Sequence, residues 1–241
     1  MRTHDVEAFR SRYRSEIWPH YSAWLHGGFV LTYGIAVIAA FALHMAALKS
    51  WEWLALPLGL VIFNIGEYVI HRWWGHHKRL IGGLFYKRHT GDHHSFFVAG
   101  RMSFDGAQDW RVILFPAWLI VLFSVFVCVP AWWLGTQVFS PEFGALLGAT
   151  LMVGYLMYEF FHACQHLPRQ HWLLKLPWLK HMAYLHELHH RRDFMQQYNF
   201  NLVLPLTDWL VGSLRWAPPE ALDEPAAAAV VGNERGSLEN G

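Results

Sequence analysis

Apolar positions along this chain gather into four long runs, not into alternating or single-face patterns. The runs cover about residues 28–48, 51–70, 112–134 and 142–161. Each is close to the ~20 residues that a helix needs to cross a hydrocarbon layer. Their acidic residues, Glu52, Glu67, Glu142 and Glu159, sit near the ends. Trp51, Trp53, Trp132 and Trp133 also flank the ends, where interfacial aromatic residues are expected. The pattern predicts an all-α integral membrane protein with about four transmembrane helices. A soluble protein would have to bury four such runs in one core.

The polar remainder divides the chain further. Within 1–25, Val6, Phe9, Tyr13 and Ile17 recur at helical spacing beside arginines. That predicts an amphipathic segment, lying on the membrane surface or packed on a cytoplasmic cap. No apolar core of a signal peptide is found there. Residues 26–215 read as one transmembrane catalytic domain. Within it, LVLPLTDWLVGSL at 202–214 is too short to span and carries Pro205 and Asp208, so it reads as interfacial or buried. Residues 216–241 are rich in Pro, Ala and Gly and are expected to be a disordered tail.

Charge sets the orientation. Of the 19 Lys and Arg residues, all but Lys49 fall before the first run, between the second and third, or after the fourth. The positive-inside rule then puts both termini, and the long loop between the second and third runs, in the cytoplasm. Charged residues make up only 15% of the chain and the net charge is +1, which gives no hint of nucleic acid. Two cysteines, Cys128 and Cys164, make no disulfide framework.

Seventeen histidines are the anomaly. His71 and His76 close the second run, and His89, His93 and His94 follow in the loop. His162 and His166 close the fourth run, and His186, His189 and His190 come after it. All ten fall on the expected cytoplasmic side, although the orientation was read from Lys and Arg alone. Residues three or four apart share a helix face. The pairs His162/His166, His89/His93, His186/His190 and His186/His189 are therefore each expected to offer two imidazoles to one metal. Adjacent His93 and His94 point about 100° apart and can serve two neighbouring metals. The expected site is a histidine-rich di-metal centre in a cytoplasmic helical cap. His4, His20, His26 and His44 show no such partners, and His77, His171 and His181 are less clear. His181 lies five residues before His186 and is a candidate for the surrounding shell.

HELHH at 186–190 reads two ways. His186, Glu187 and His190 match the H-E-x-x-H of zinc proteases, with the glutamate activating water. His186, His189 and His190 also match a histidine box of a membrane oxidoreductase. The protease reading leaves most of the clustered histidines without a role. A membrane cytochrome would need histidines on facing spans inside the bilayer. A metal transporter would need ionisable residues within the spans.

The boxes resemble the fatty acid hydroxylase/sterol desaturase superfamily of membrane non-haem di-iron enzymes. The matching stretches are EYxxHR at 67–72, HTGDHHSFF at 89–97, FxxHxxxH through 162–166, HELHH, and YNFNxxxPLxDWLxGSL at 198–214. GRMSFDGAQDWRVILFP at 100–116 is similar to a bacterial branch. The resemblance spans roughly 60–215. It implies two iron ions held by the ten histidines, O2 as cosubstrate, and a membrane lipid as substrate. It also implies a separate electron donor of the cytochrome b5, ferredoxin or rubredoxin kind, and a place in the bacterial inner membrane. The reaction it implies is hydroxylation, with desaturation on the same centre as the alternative. The lipid's reactive carbon is expected near the cytoplasmic surface, with Trp73, Trp74, Phe96, Phe97 and Phe160 as candidate lining. Glu67, Asp92, Asp105, Glu159, Asn199 and Asp208 are candidates to orient the ring nitrogens from behind, Asp92 and Asn199 foremost. Two departures stand out. The first box has four residues between its histidines, where many sterol desaturases have three. The second reads H-x-x-x-H-H, with Thr90 where the usual H-x-x-H-H puts histidine. The choice between His76 and His77 stays open at this point.

Overall fold

A computed structural model describes residues 5–79 and 82–216, and these are helical with no strand. The expected tail falls outside the described residues, apart from Trp216. The first helix, α1 (Val6–Ser15), is capped by Asp5, whose side chain accepts from the Ala8 N–H. α2 (Ala23–Ala42) is the first span. It begins earlier than the apolar run at 28–48 because Ser22 caps it, accepting from the Leu25 N–H, and it ends before residue 43. The second span, Ser50–Gly75, is a 3-10 turn, then α3 (Ala55–Val69), then a π-helical turn at Ile70–Gly75.

Short elements build the cap that follows. α4 (Gly83–Tyr86) runs into a π-helical segment, Lys87–His93, and then α5 (His94–Phe96). The third span, Ala107–Val138, contains α6 (Trp110–Ile113), α7 (Trp118–Phe123), a π-helical turn at Ser124–Cys128 and α8 (Val129–Val138). It breaks at Leu114 and Phe115, just before Pro116, a residue that disfavours helix in its predecessor. The fourth span is α9 (Pro141–Gln165), followed by α10 (Pro177–His189) and α11 (Leu206–Val211) in the cap. Residues 202–214 thus hold one short helix that does not cross.

α9 is the axis of the bundle. Most of it is buried, whereas α2 and α3 turn exposed apolar faces outward, as lipid contact requires. Small residues let its neighbours approach. Gly135 on α8 lies against Gly144 so closely that a Cβ would come within 2.9 Å of the Gly144 backbone. Gly59 meets Thr150 and Gly154 meets Phe63, so α3 and α9 run in the same direction. Phe41 meets Gly148 and Gly34 meets Leu156, so α2 runs opposite to them. The parallel course of α3 and α9 brings the ends that carry His71 and His162 to the same end of the bundle. Cys128 and Cys164 are both buried free thiols.

Candidate metal centre

Ten histidines meet where α3 and α9 enter the cap, and none is more than 7% exposed. They form two groups. His71, His76, His89, His94 and His189 make the first, and His93, His166, His186 and His190 the second. Within each group the ligand atoms lie within 4.8 Å of one another. His162 joins the second group, its Nε2 lying 3.1 Å from that of His93.

Local helix geometry decides which group each histidine enters. α9 and α10 are ordinary α-helices, so His162/His166 and His186/His190, four apart, fall together. The segments carrying the first two boxes are π-helical, with i→i+5 bonding. Residues five apart then share a face. His71 and His76 stack with ring centroids 5.3 Å apart, and the Nε2 atoms of His89 and His94 are 3.1 Å apart. This corrects two expected pairings. His89 and His93, four apart in a π-helical stretch, go to different groups. His186 and His189 are also divided: His189, the last residue of α10, enters the first group, while His186 and the capping His190 enter the second. His93/His94 and His189/His190 each serve both groups. The spacing of the first box, one residue longer than in many sterol desaturases, follows from the same π-helical turn. His76 points into the first group, and His77 turns away to the carbonyl of Arg72 at 2.8 Å.

The other ring nitrogen shows what the groups can hold. His71 and His189 bond through Nδ1 to the carbonyls of Phe200 and Tyr198, at 2.5 and 2.8 Å. His93, His166 and His190 do the same to Val112, Met102 and Phe97, at 3.1, 2.8 and 2.7 Å. A carbonyl only accepts, so each of these Nδ1 atoms carries the proton and each Nε2 keeps a lone pair. For His76 the partner is Thr90. Its hydroxyl donates to the Gly75 carbonyl at 2.6 Å, and its oxygen accepts from Nδ1 at 3.3 Å. The Nε2 atoms of His93 and His190 then face each other at 3.1 Å with no hydrogen between them. Those of His76 and His189 do so at 2.9 Å. Lone pairs converging this way call for a cation. Neighbouring ligands at ~2.1 Å from one ion stand about 3 Å apart, which matches these separations. Burial, the largest cause, holds His93, His94, His166, His186, His189 and His190 well below the ordinary histidine pKa. The imidazoles are therefore neutral and able to ligate.

The remaining candidate residues are placed variously. Asn199 touches no histidine ring. Its side chain bonds the Leu185 carbonyl and the Arg215 backbone, fixing a turn at φ 60° from which the Tyr198 and Phe200 carbonyls project. Glu67 and Asp208 secure the same turn through the N–H groups of Leu202 and Asn201, both at 2.7 Å. Asp92 pairs with Arg88 at 3.6 Å, and Glu159 accepts from the Phe115 N–H. His181 packs its ring against that of Trp216, tilted by 59° with centroids 4.2 Å apart, and belongs to neither group. Asp105 bonds Arg10, Arg14 and Arg101. Glu187 accepts from Arg169 and from the Gly100 N–H, so its carboxylate is committed away from a zinc-bound water. Sequence reasoning missed Thr90 as a partner of His76. It also missed every backbone carbonyl behind the rings, because carbonyls leave no residue-type signal.

Beside the first group lies an apolar groove of about 490 Å³ between the second, third and fourth spans. Its floor includes His71 and His89, and its walls include Phe63, Trp74, Phe115, Phe126 and Tyr158. Ile62, Leu122 and Phe126 at its mouth are on the exposed face of the bundle. Of the candidate lining residues, Trp74 lies in the groove. Phe96 and Phe97 are buried in the cap core, and Phe160 and Trp73 face outward.

Fold and site together define a helical membrane protein with a buried, all-histidine cluster able to hold metal. The fatty acid hydroxylase family model matches residues 56–213, and the chain belongs to that family, within the fatty acid hydroxylase/sterol desaturase superfamily. No curated protein and no solved structure matches it. Membership makes it an oxidoreductase of a generally iron-dependent, membrane-associated family.

Proposed function

We propose that this protein hydroxylates an unactivated C–H bond of a fatty acyl chain or similar membrane lipid, using O2 and a pair of histidine-held iron ions. The observation that carries this reading is the apolar groove, which opens on the lipid-facing side of the bundle and ends at His71 and His89. His71, His76, His89, His94 and His189 would hold one iron, and His93, His162, His166, His186 and His190 the other. Bound iron would supply the reduction of O2 and the removal of hydrogen from the substrate carbon. One oxygen atom goes to the carbon and the other leaves as water, with two electrons and two protons supplied from outside. A separate electron carrier of the cytochrome b5, ferredoxin or rubredoxin kind fills that need. The Lys and Arg distribution supports a cytoplasmic cap and a cytoplasmic donor, and the likeness of residues 100–116 to a bacterial branch supports residence in a bacterial inner membrane.

The chain's own residues bind and align the lipid. Its volume is within the ~300–1,000 Å³ of ordinary ligand sites. Phe63, Phe115, Phe123 and Tyr158 exclude water along the acyl path, and Trp74 and Phe85 stand beside the histidine floor. The test is reconstitution in vesicles of native lipid with a chemical or enzymatic reductant under 18O2. Lipid carrying one 18O supports hydroxylation. Lipid that has lost two hydrogens without gaining oxygen assigns desaturation to the same centre. Unchanged lipid with an iron-loaded, reduced enzyme contradicts both.

A further inference from the structure

α1 lies outside the family-matched stretch, yet two of its arginines reach the segment behind the second histidine group. We infer that Arg10 and Arg14 are positioning residues for that group, acting through residues 96–109; the inference rests on the di-metal reading above. Arg10 is fully buried. It donates to the Ser103 carbonyl at 2.9 Å and to Asp105 at 3.2 Å. Its guanidinium lies 4.4 Å over the Phe96 ring and 5.6 Å from that of Phe97. Arg14 grips the buried carboxylate of Asp109 with two bonds, at 2.8 and 2.7 Å. Asp109 in turn accepts from the Asp105 N–H at 2.9 Å.

The gripped segment is the one that orients the ligands. The Phe97 carbonyl holds His190, and the Phe97 ring lies 4.0 Å from that of His166. The Met102 carbonyl holds His166, and the Phe104 N–H donates to the His166 carbonyl at 3.1 Å. Val112, three residues past Asp109, holds His93. Three ligands of the second group thus take their ring orientation from one stretch, 97–112. That stretch has no strand or long helix of its own to set its path. The two arginines, four apart on α1, meet two aspartates four apart in the stretch. The first group takes its carbonyl partners from elsewhere. Its His71 and His189 lean on Phe200 and Tyr198 instead.

The consequence is selective. Loosening the Arg10 and Arg14 contacts should weaken metal at the second group and spare the first. Partners that orient ligands are typically worth ~10–100-fold in metal affinity. The experiment uses full-length chain in detergent, loaded with iron and then dialysed against a chelator. Iron per chain and the EPR spectrum of the oxidised protein are followed for wild type, Arg14→Gln and Arg10→Gln. The expected result is two irons in wild type, falling toward one in each variant, with an isolated high-spin ferric signal in place of a spin-coupled pair. Arg14→Lys keeps the charge but loses the two-pronged grip. It should recover part of the second iron, and it serves where Arg14→Gln fails to fold. In a His93→Ala/His190→Ala background, which keeps only the first group, Arg14→Gln should leave the remaining iron unmoved.

Wild type and both glutamine variants all retaining two spin-coupled irons would overturn the inference alone. Equal loss of both irons, together with a lowered melting temperature, would also overturn it, since α1 would then be a general stabiliser. A wild-type chain that never holds two metals would overturn the di-metal reading and this inference with it.

Discussion

The two histidine groups share one ligand chemistry but are built on different frames. The first takes four of its five rings from π-helical segments and the residues that end them, and its backing comes from the turn at 198–200. That turn is tied to α3 by Asn64, Glu67 and Asn201. The second takes four of its five from α9, α10 and the residues that end them, and its backing comes from the stretch 97–112. The first also floors the lipid groove. The second borders a small recess of about 20 Å³, whose lining includes His89, His93 and His162, where the two groups adjoin. In both, helices and the residues that end them supply the rings, and the carbonyls that aim them come from irregular backbone, Val112 in the short α6 excepted. Carbonyls inside a helix are already bonded within it, so an accepting carbonyl behind a ring comes from a loop or from the free end of a helix, as at Val112 in the short α6.

Removing ligands should produce the largest effects and test whether the frames are independent. His71→Ala/His189→Ala and His93→Ala/His190→Ala should each abolish lipid oxidation, measured by product mass spectrometry, because the proposed chemistry needs both ions. Activity surviving in either pair would mean that one group suffices.

Next in size is the anchor of the first group's turn. Glu67 accepts from the Asn201 side chain at 2.9 Å and from the Leu202 N–H. Glu67→Gln sets an amide donor against a donor, at a cost of about 1–3 kcal/mol. Metal retention at the first group should drop ~10–100-fold, with the second group unaffected. Equal losses in a chelator challenge would show the frames to be coupled.

The groove allows a separation of substrate from metal. Gly66 lines it, and a Cβ there would meet nothing within 4 Å. Gly66→Leu should displace the acyl chain and lower kcat/KM on the order of 10²-fold, as a misplacement of about 1 Å does. Iron content should stay at the wild-type level. Unchanged kinetics would move the substrate path elsewhere.

Acid should act on both groups alike. The cap histidines have folded-state pKa values depressed by burial. The unfolded chain, titrating near ~6.5, therefore takes up protons first as the pH falls. Their contribution to stability is complete above that pH and is lost progressively below it, down to the depressed folded values. Metal-free protein should melt at lower temperature at pH 5.5 than at pH 7.5, and a flat profile would contradict buried neutral imidazoles. The smallest effect is expected for Thr90→Val, which removes the hydroxyl behind His76. It should cost about 10-fold in metal retention at the first group only.

Much of this was legible in the sequence. Four spans, a helical fold and the clustering of ten histidines followed from run length and box spacing. The division into groups did not. Spacing was interpreted with an α-helical period, and the π-helical turns at 70–75 and 87–93 changed the period to five. Adjacent pairs such as His93/His94 were expected to serve two sites because that inference needs only a large angle between neighbours. The partners behind the rings were hidden, since a carbonyl belongs to every residue type. Asp92 and Asn199 stood foremost among the candidate partners of the rings, with Glu67 among the rest; Asp92 pairs with Arg88, and Asn199 and Glu67 act on the backbone turn that bears those partners. The one trace of the α1 contacts was the matched spacing of Arg10/Arg14 and Asp105/Asp109.

The central claim is a two-metal centre divided five and five among these histidines. Its most direct test is elemental analysis of iron and zinc in purified full-length chain, alongside His71→Ala/His189→Ala and His93→Ala/His190→Ala. The account predicts about two irons in wild type and about one in each variant. A single zinc per chain, lost with His93 and His190 but untouched by the change at His71 and His189, would contradict it and return HELHH to the zinc proteases.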